Sequence, residues 1–157
     1  MSGGVEWAVH SCLNLFWAGP DPVSVRELAA YHELPTAYLN KRLQALCLAG
    51  VLSSRSGPRG GFQFARPADT VTVMDIVAAI EGPDNAFACQ EIRRHGPDGG
   101  PPEKFPHECA VKQVFTAADL AWRRSLASRT VADIAAQAEQ EAPGVGERVR
   151  AWFHRPA

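Results

Sequence analysis

Residues 24–67 read SVRELAAYHELPTAYLNKRLQALCLAGVLSSRSGPRGGFQFARP. Ser24 and Glu27 have the spacing of a capping box, which predicts the start of a short helix. Pro35 ends that helix, and Thr36 is placed to cap the next one, whose leucines recur at helical spacing. The first half of this run therefore predicts two short helices joined by a tight turn.

A hairpin is predicted directly after these two helices. Residues 51–55 and 62–65 have the composition of strands, and the segment between them contains only serine, glycine, proline and arginine. Two short helices followed by a glycine-rich hairpin are typical of the winged helix-turn-helix, whose second helix enters the major groove of DNA. The fold is therefore predicted to be mainly α, with a winged helix-turn-helix DNA-binding domain over residues 1–82.

Polar and cationic side chains lie off the apolar stripe of the second helix and on the hairpin. No acidic residue occurs between Glu33 and Asp69, although the net charge of the chain is −1. Hydroxyl, amide and cationic groups near a helix N-terminus suit base edges and phosphates. The predicted DNA contacts are Thr36, Tyr38, Asn40, Lys41, Arg42, Arg55 and Arg59. The alternative is a solvated helix and hairpin, or a winged helix that binds only proteins.

Further helices are predicted on both sides of this run. Residues 5–17 carry apolar residues at helical spacing, and residues 110–126 predict a long helix. Capping-box spacing recurs at Thr72 and at Thr130. Two of the four cysteines, at positions 12 and 47, lie on apolar stripes, and we expect them to be core residues.

Of the other two cysteines, Cys89 lies within a long segment rich in proline and glycine, and Cys109 follows that segment. Such a long loop is unusual in a compact domain unless it is functional or disordered. Iron–sulfur clusters and tetrahedral zinc usually take four protein ligands. Either the pair is a metal-free thiol or redox pair, or the missing ligands come from elsewhere. Zinc is less favoured, because the two cysteines lack the short paired spacing of structural zinc sites.

Glu6 and His10 are one turn apart on the first predicted helix, so their side chains can converge on one point. A surface acid and an exposed imidazole are the ordinary interpretation of these two residues. His95 and His107 are rival nitrogen donors because they share the loop with the thiols, and His107 is two residues from Cys109.

Composition narrows the class of protein. With 157 residues and 46% hydrophobic content, the chain can form a single globular unit. No apolar run approaches the roughly 20 residues of a membrane span, and no signal sequence is recognised, so we expect a cytoplasmic protein. The sequence contains no C-x-x-C motif, nucleophile elbow or phosphate-binding loop, so we do not expect an enzyme.

Several ordered motifs resemble those of the Rrf2 family of winged-helix repressors, to which IscR and NsrR belong. They are SVRELA, PTAYLNKRLQALCLAGVL, GPRGGFQFARP and VTVMDIVAAIEGP, followed by a cysteine-bearing loop. The resemblance covers nearly the whole chain and implies a homodimer that binds a palindromic operator in double-stranded DNA. It implies a cluster-binding loop over residues 83–109, dimerisation helices over 110–140 and a C-terminal tail over 141–157.

One departure from the family pattern concerns the loop. The usual cluster-binding members carry three closely spaced cysteines there, and IscR adds a histidine shortly after the third. This chain has only Cys89 and Cys109, and position 112 is Lys112. A direct copy of the IscR site is therefore excluded.

A closer resemblance is to an actinomycete branch of redox regulators in this family. It is carried by SGGVEWA, by the loop pattern GPD.AF.C.EIR..GP...PPEK and by the region of Trp122. It implies a [2Fe-2S] cluster held by Cys89 and Cys109 of one subunit and by the partner subunit's Glu6 and the partner subunit's His10. His107 is the first substitute for His10.

The function implied by this resemblance is a repressor that senses redox state through the cluster. Trp7 lies between the two proposed helix ligands and is a candidate redox gate, although simple packing is the more ordinary role for it. The alternative is a metal-free winged-helix regulator that responds to thiol oxidation or to a protein partner.

Overall fold

The computed structural model describes residues 3–84 and 87–155. Within these ranges the chain forms seven α-helices and one two-stranded sheet. In chain order the elements are α1 (Gly3–Ala18), α2 (Val25–Tyr31), α3 (Thr36–Leu48), β1 (Leu52–Arg55), β2 (Gly61–Phe64), α4 (Val73–Glu81), α5 (Ala110–Ala127), α6 (Val131–Glu141) and α7 (Val145–Phe153). Short 3₁₀ turns occur at Ala68–Thr70, Ile92–Arg94 and Pro102–Lys104. The prediction of a mainly helical winged fold is confirmed.

The chain divides into two compact units. One contains residues 1–83 and 126–157, and the other contains residues 84–125. In the first unit, α1 packs against α3, α4, α6 and α7. In the second, the loop that carries the two cysteines leads into most of α5.

The core of the first unit is built on the leucine stripe of α3. Leu39, Leu43 and Leu46 are fully buried, as the spacing predicts. Cys12 is also fully buried, and the loss of solvation raises the pKa of its thiol to about 12. Cys47 is half-buried against this core, so both cysteines are packing residues, as expected.

Capping boxes start three of the helices. The hydroxyl oxygens of Ser24, Thr72 and Thr130 each accept a hydrogen bond from the backbone N–H three residues later. The acidic side chain at that later position in turn accepts a hydrogen bond from the backbone N–H of the cap. The prediction that Thr36 caps α3 is wrong, because Thr36 is the first helical residue and Pro35 precedes it as the N-cap without a side-chain hydrogen bond.

The wing is a tight antiparallel hairpin in which Leu52 pairs with Phe64 and Arg55 pairs with Gly61. Backbone hydrogen bonds of 2.8 and 3.0 Å join Phe62 to Val23, just before α2. A side chain at Gly61 would place its Cβ 2.3 Å from the Val23 carbonyl oxygen, so this close approach requires glycine. The hairpin is thereby attached to the helix-turn-helix that it flanks.

The last helix, α7, occupies the tail whose structure the sequence left unassigned. Its Arg150 Nε donates a 3.0 Å hydrogen bond to the Trp17 carbonyl oxygen at the end of α1. A second connection joins the starts of α4 and α6, where Val73 N donates to the Arg129 carbonyl oxygen at 2.8 Å. The first of these contacts ties α7 to the C-terminal end of α1, and the second ties the start of α4 to the residue before the cap of α6.

Candidate nucleic-acid interface and thiol site

The predicted DNA contacts are distributed over α3 and the wing. On α3, Thr36, Tyr38 and Lys41 are exposed, whereas Asn40 and Arg42 are half-buried. The wing residues Arg55, at the end of β1, and Arg59, in the loop, are both exposed. Hydroxyl and cationic groups are therefore available to solvent on α3, and two cations are available on the wing.

Glu6 and His10 are exposed on α1 and line the same groove, which has a volume of about 460 Å³. The walls of this groove include Val9 of α1 and Val73 and Val77 of α4. The i, i+4 spacing therefore places a carboxylate and an imidazole at the rim of one apolar depression.

An aromatic cluster lies beside His10. The ring of His32, at the end of α2, makes edge-on contacts with the rings of Trp7 at 5.6 Å, His10 at 6.2 Å and Tyr31 at 5.2 Å between centroids. Asn14 Nδ2 lies 3.0 Å from His32 Nε2. Burial, followed by the charge of His10, lowers the pKa of His32. Trp7 is thus half-buried against a histidine that the sequence analysis did not single out.

Cys89 and Cys109 are half-buried free thiols in the second unit. Both line a cavity of about 500 Å³ whose walls also include Phe87, Ile92 and Val111. The predicted loop cysteines are therefore brought to one largely apolar cavity although they are far apart in sequence.

Arg93 organises the loop around this cavity. Its guanidinium donates to both carboxylate oxygens of Glu91, at 2.5 and 2.9 Å, and to the His107 carbonyl oxygen at 3.1 Å. It also lies 5.1 Å from the centre of the Phe105 ring. The Glu91 backbone N–H donates to Cys89 Sγ at 3.4 Å. Sequence reasoning missed Glu91 and Arg93, although both lie in the EIR segment of the resemblance.

Two cations, each paired with a carboxylate, lie near the two thiols. The hydrogen bond from Arg93 to Glu91 raises the pKa of the guanidinium most, and the nearby side chains of Cys109 and Cys89 add to this effect. Lys112 forms a 2.8 Å ion pair with Glu108, which is the main cause of its raised pKa, and Cys89 contributes as well. Arg93 therefore lies close enough to both sulfurs, and Lys112 close enough to Cys89, for their charges to interact.

The donor set in one chain is half of what an iron–sulfur cluster needs. Two neighbouring thiols suit an iron–sulfur cluster, but no group of three or more histidine, cysteine, aspartate or glutamate side chains within residues 3–84 and 87–155 is arranged to hold a metal ion. His107 is exposed, and neither it nor His95 is among the described residues that line the thiol cavity. The residues therefore fit a cluster only if further ligands join them.

A search against protein families identifies this architecture. The profile of the Rrf2 family, described as iron-dependent transcriptional regulators, matches residues 1–137. The chain belongs to the Rrf2 family. It is a transcriptional regulator of that family and not an enzyme.

Two relatives show how much of the chain resembles known members of the family. Protein rrf2 of Nitratidesulfovibrio vulgaris is 29% identical over 113 residues, which cover 72% of this chain and 71% of that protein. The regulator IscR of Cereibacter sphaeroides is 33% identical over 70 residues, 45% of each chain.

Solved Rrf2 structures match the fold over most of the chain. IscR of T. potens superposes with a TM-score of 0.67 and 22% identity, covering 90% of both chains. The cysteine regulator CymR of B. subtilis superposes with a TM-score of 0.66 and 23% identity, covering 87% of this chain and 96% of CymR. The winged-helix fold predicted for this chain is therefore shared with both solved structures. No described helix of this Rrf2 protein is both long and apolar enough to cross a membrane.

Proposed function

We propose that this Rrf2 protein is a cytoplasmic homodimeric repressor that binds a palindromic operator and senses redox state through a [2Fe-2S] cluster. Its type is that of RsrR, the actinomycete redox regulator whose first-helix and loop motifs this chain resembles. The observation that carries the proposal is the pair of free thiols, Cys89 and Cys109, that line one apolar cavity beside Arg93. The cavity brings the two sulfur donors together, and Arg93 and Lys112 lie beside them.

The two remaining ligands in this proposal are the partner subunit's Glu6 and the partner subunit's His10. Three observations support them: both side chains are exposed, both line one groove, and both are one helical turn apart. A single chain contributes too few donors at either place, so cluster binding requires two chains. His107 remains the substitute for His10.

The homodimer is supported by the exposed apolar face of α5. Val111, Val114 and Phe115 follow helical spacing and are 56%, 68% and 48% exposed. Contiguous apolar surface of this kind is typical of a protein interface. The proposed occupant is the same helix of a second copy, which would form the long crossing helix of the family.

The chain's own residues have distinct roles in this mechanism. The cluster, when bound, supplies reversible one-electron chemistry, and nitrogen and carboxylate ligation raises its potential relative to four thiolates. Arg93 and Lys112 hold positive charge near the sulfur donors, and Arg93 fixes the loop through Glu91 and the His107 carbonyl. The ring of His10 contacts that of His32, so a movement of His10 would reach the end of α2. Trp7 is proposed to shield the site by packing on the same His32 ring.

Visible absorption and electron paramagnetic resonance of anaerobically purified protein, before and after dithionite, test this function. We expect a coloured protein with about two irons and two sulfides per chain and a paramagnetic signal on reduction. Colourless protein that contains zinc would contradict the proposal.

Single alanine variants then assign the ligands. Glu6→Ala or His10→Ala should change the cluster spectrum, whereas His107→Ala should leave it intact. Glu33→Ala is a matched control, since Glu33 is also an exposed acid in the first unit. An altered spectrum for His107→Ala with an unchanged one for His10→Ala would transfer the nitrogen ligand to His107.

A metal-free regulator is the second candidate, favoured by the two half-buried free thiols. An oxidised form of CymR from Staphylococcus aureus has been solved, and it superposes with a TM-score of 0.64 at 22% identity. In this case Cys89→Ser would change the response of DNA binding to peroxide, while removal of iron would leave DNA binding unchanged. The cluster mechanism predicts that iron removal changes DNA binding.

A further inference from the structure

Arg42 does not extend freely from the reading helix. It is half-buried, and its Nε is buried without a hydrogen-bond partner among the described residues. The first turn of α1 covers it, because a Cβ added at Gly4 would lie 2.8 Å from Arg42 Nε and 2.9 Å from Cζ. The absence of a side chain at Gly4 therefore allows the guanidinium to lie against α1.

The same guanidinium also lies over the ring of Tyr38. Arg42 Cζ lies 5.2 Å from the centre of the Tyr38 ring, one turn earlier on α3. Tyr38 is exposed near the N-terminus of α3, the part of a reading helix that meets base edges. Arg42 thus connects the first turn of α1 with an exposed aromatic residue of the reading surface.

This placement is costly for a residue whose role is to meet phosphate. A buried N–H without an acceptor loses its hydration, and a cation beside a helix N-terminus meets the positive end of the helix dipole. Arg55 and Arg59 on the wing are exposed and lack this restriction. The geometry therefore gives Arg42 a different role from theirs.

We propose that Arg42 is a positioning residue: seated against Gly4, it orients the Tyr38 ring for DNA reading and links α1, which carries Glu6, to the reading surface of α3. The proposal rests on operator binding as proposed above and does not depend on the cluster. A shift of α1 would then move Arg42, and through Arg42 it would change how Tyr38 is presented to DNA.

Two glycines in the same helical turn provide a matched test. Gly4→Ala places a methyl group against Arg42, whereas a Cβ at Gly3 has no atom within 4 Å. The group displaced by Gly4→Ala is the end of a flexible side chain, so both variants should fold, and thermal unfolding monitored by circular dichroism checks this. The probe is a DNA duplex selected from a random library by the wild-type protein, with affinity measured by fluorescence anisotropy.

We expect Gly4→Ala to bind the selected duplex about tenfold more weakly, which is within the range for loss of one base contact, and Gly3→Ala to stay within about twofold of wild type. Equal affinities of the two variants would overturn the proposed role of Arg42 but would leave operator binding standing. A wild-type protein that selects no duplex would overturn operator binding and this proposal together.

A double variant tests whether Gly4 acts through Tyr38. If it does, Gly4→Ala combined with Tyr38→Leu should bind no more weakly than Tyr38→Leu alone, because the second change has already removed the oriented ring. Fully additive losses would show that Gly4 acts by another path and would contradict the proposal.

Salt dependence separates positioning from phosphate contact. A lost phosphate contact lowers the slope of log affinity against log salt by about 0.9 and weakens selected and scrambled duplexes equally. For Arg42→Gln we expect an unchanged slope and reduced discrimination between the two duplexes. For Arg59→Gln, the exposed control, a lower slope fits its predicted phosphate contact. If Arg42→Gln instead lowers the slope and weakens binding to both duplexes equally, Arg42 contacts phosphate and the proposal is wrong.

Discussion

The two units of this Rrf2 protein differ in how their apolar residues are used. In the first unit, leucines at helical spacing are fully buried and capping boxes define three helix starts. In residues 84–125, Asp119 is the only buried residue among those described, and Val114 is 68% exposed. The first unit therefore has a core of its own, and the apolar side chains of the second are available for another surface.

The organisation of the second unit depends on polar contacts. Arg93 joins Glu91 to the backbone at His107, and Arg123 joins Asp119 to the Asp84 carbonyl oxygen. Ring stacking of Phe87 on Phe115 adds one apolar contact at 4.4 Å between centroids. The described part of the second unit is therefore held together by few contacts around its cavity, so a ligand or a second chain that bound there would stabilise it.

The largest change in free energy is expected from a substitution in the core of the first unit. Leu43→Ala removes a fully buried side chain of α3 and should lower the free energy of unfolding by about 3 kcal/mol through lost burial and the cavity left behind. Leu48→Ala is the matched control on the same helix, where the side chain is 91% exposed and a change of about 0.5 kcal/mol or less is expected. Urea unfolding followed by far-ultraviolet circular dichroism measures both free energies, and equal losses would show that the leucine stripe of α3 is not the core of the first unit.

An intermediate change, in the free energy of dimerisation, is expected from a substitution on the exposed face of α5. Val114→Asp places a charge on the proposed interface and should weaken dimerisation by about 2 kcal/mol, or roughly thirtyfold in the dissociation constant. Thr116→Asp adds the same charge at another exposed position of α5 and serves as the control. Analytical ultracentrifugation reads the outcome. A dimer unaffected by Val114→Asp would mean that this apolar face has another occupant.

The smallest change, in the dependence of stability on pH, is expected from a substitution in the capping box of α4. Burial alone would raise the pKa of Asp75, but hydrogen bonds from Thr72 and Arg66 together hold it below the usual 3.8. Because the folded-state pKa is depressed, the stabilisation is present above the unfolded-state pKa and is lost as the pH falls through the lower folded-state value. Asp75→Asn should therefore make unfolding less dependent on pH below about 3.8.

Acid titrations followed by circular dichroism check that prediction. Asp69→Asn removes the same charge from an exposed residue in the preceding 3₁₀ turn and is the control. An acid transition of Asp75→Asn identical to that of wild type would show that the cap does not stabilise the first unit in this way.

Periodicity and capping spacing predicted much of the first unit correctly. The leucine stripe of α3 and the pairs at Ser24, Thr72 and Thr130 are local patterns, and local patterns are read directly from the chain. Thr36 was misassigned because Pro35 takes the cap position one residue earlier. Composition drew attention to Cys89 and Cys109, but their roles as ligands, with Glu6 and His10, stay predictions.

Residues that act through distant partners could not be found in this way. His32 bonds to Asn14 across 18 positions, and Arg93 reaches His107 across 14. The contact of Arg42 with Gly4 likewise joins α3 to the start of α1. None of these pairs has a characteristic spacing, because their separation depends on how whole helices pack.

The order of side chains along this chain was sufficient to establish the winged fold, the buried leucines and the two unusual thiols, because helical and strand periodicities are short-range properties of a polypeptide. Packing established that the thiols share one cavity, that Glu6 and His10 border one groove, and that Arg42 is seated against α1. The physical reason is that burial and hydrogen bonding act between atoms close in space, and only the folded chain brings those atoms together.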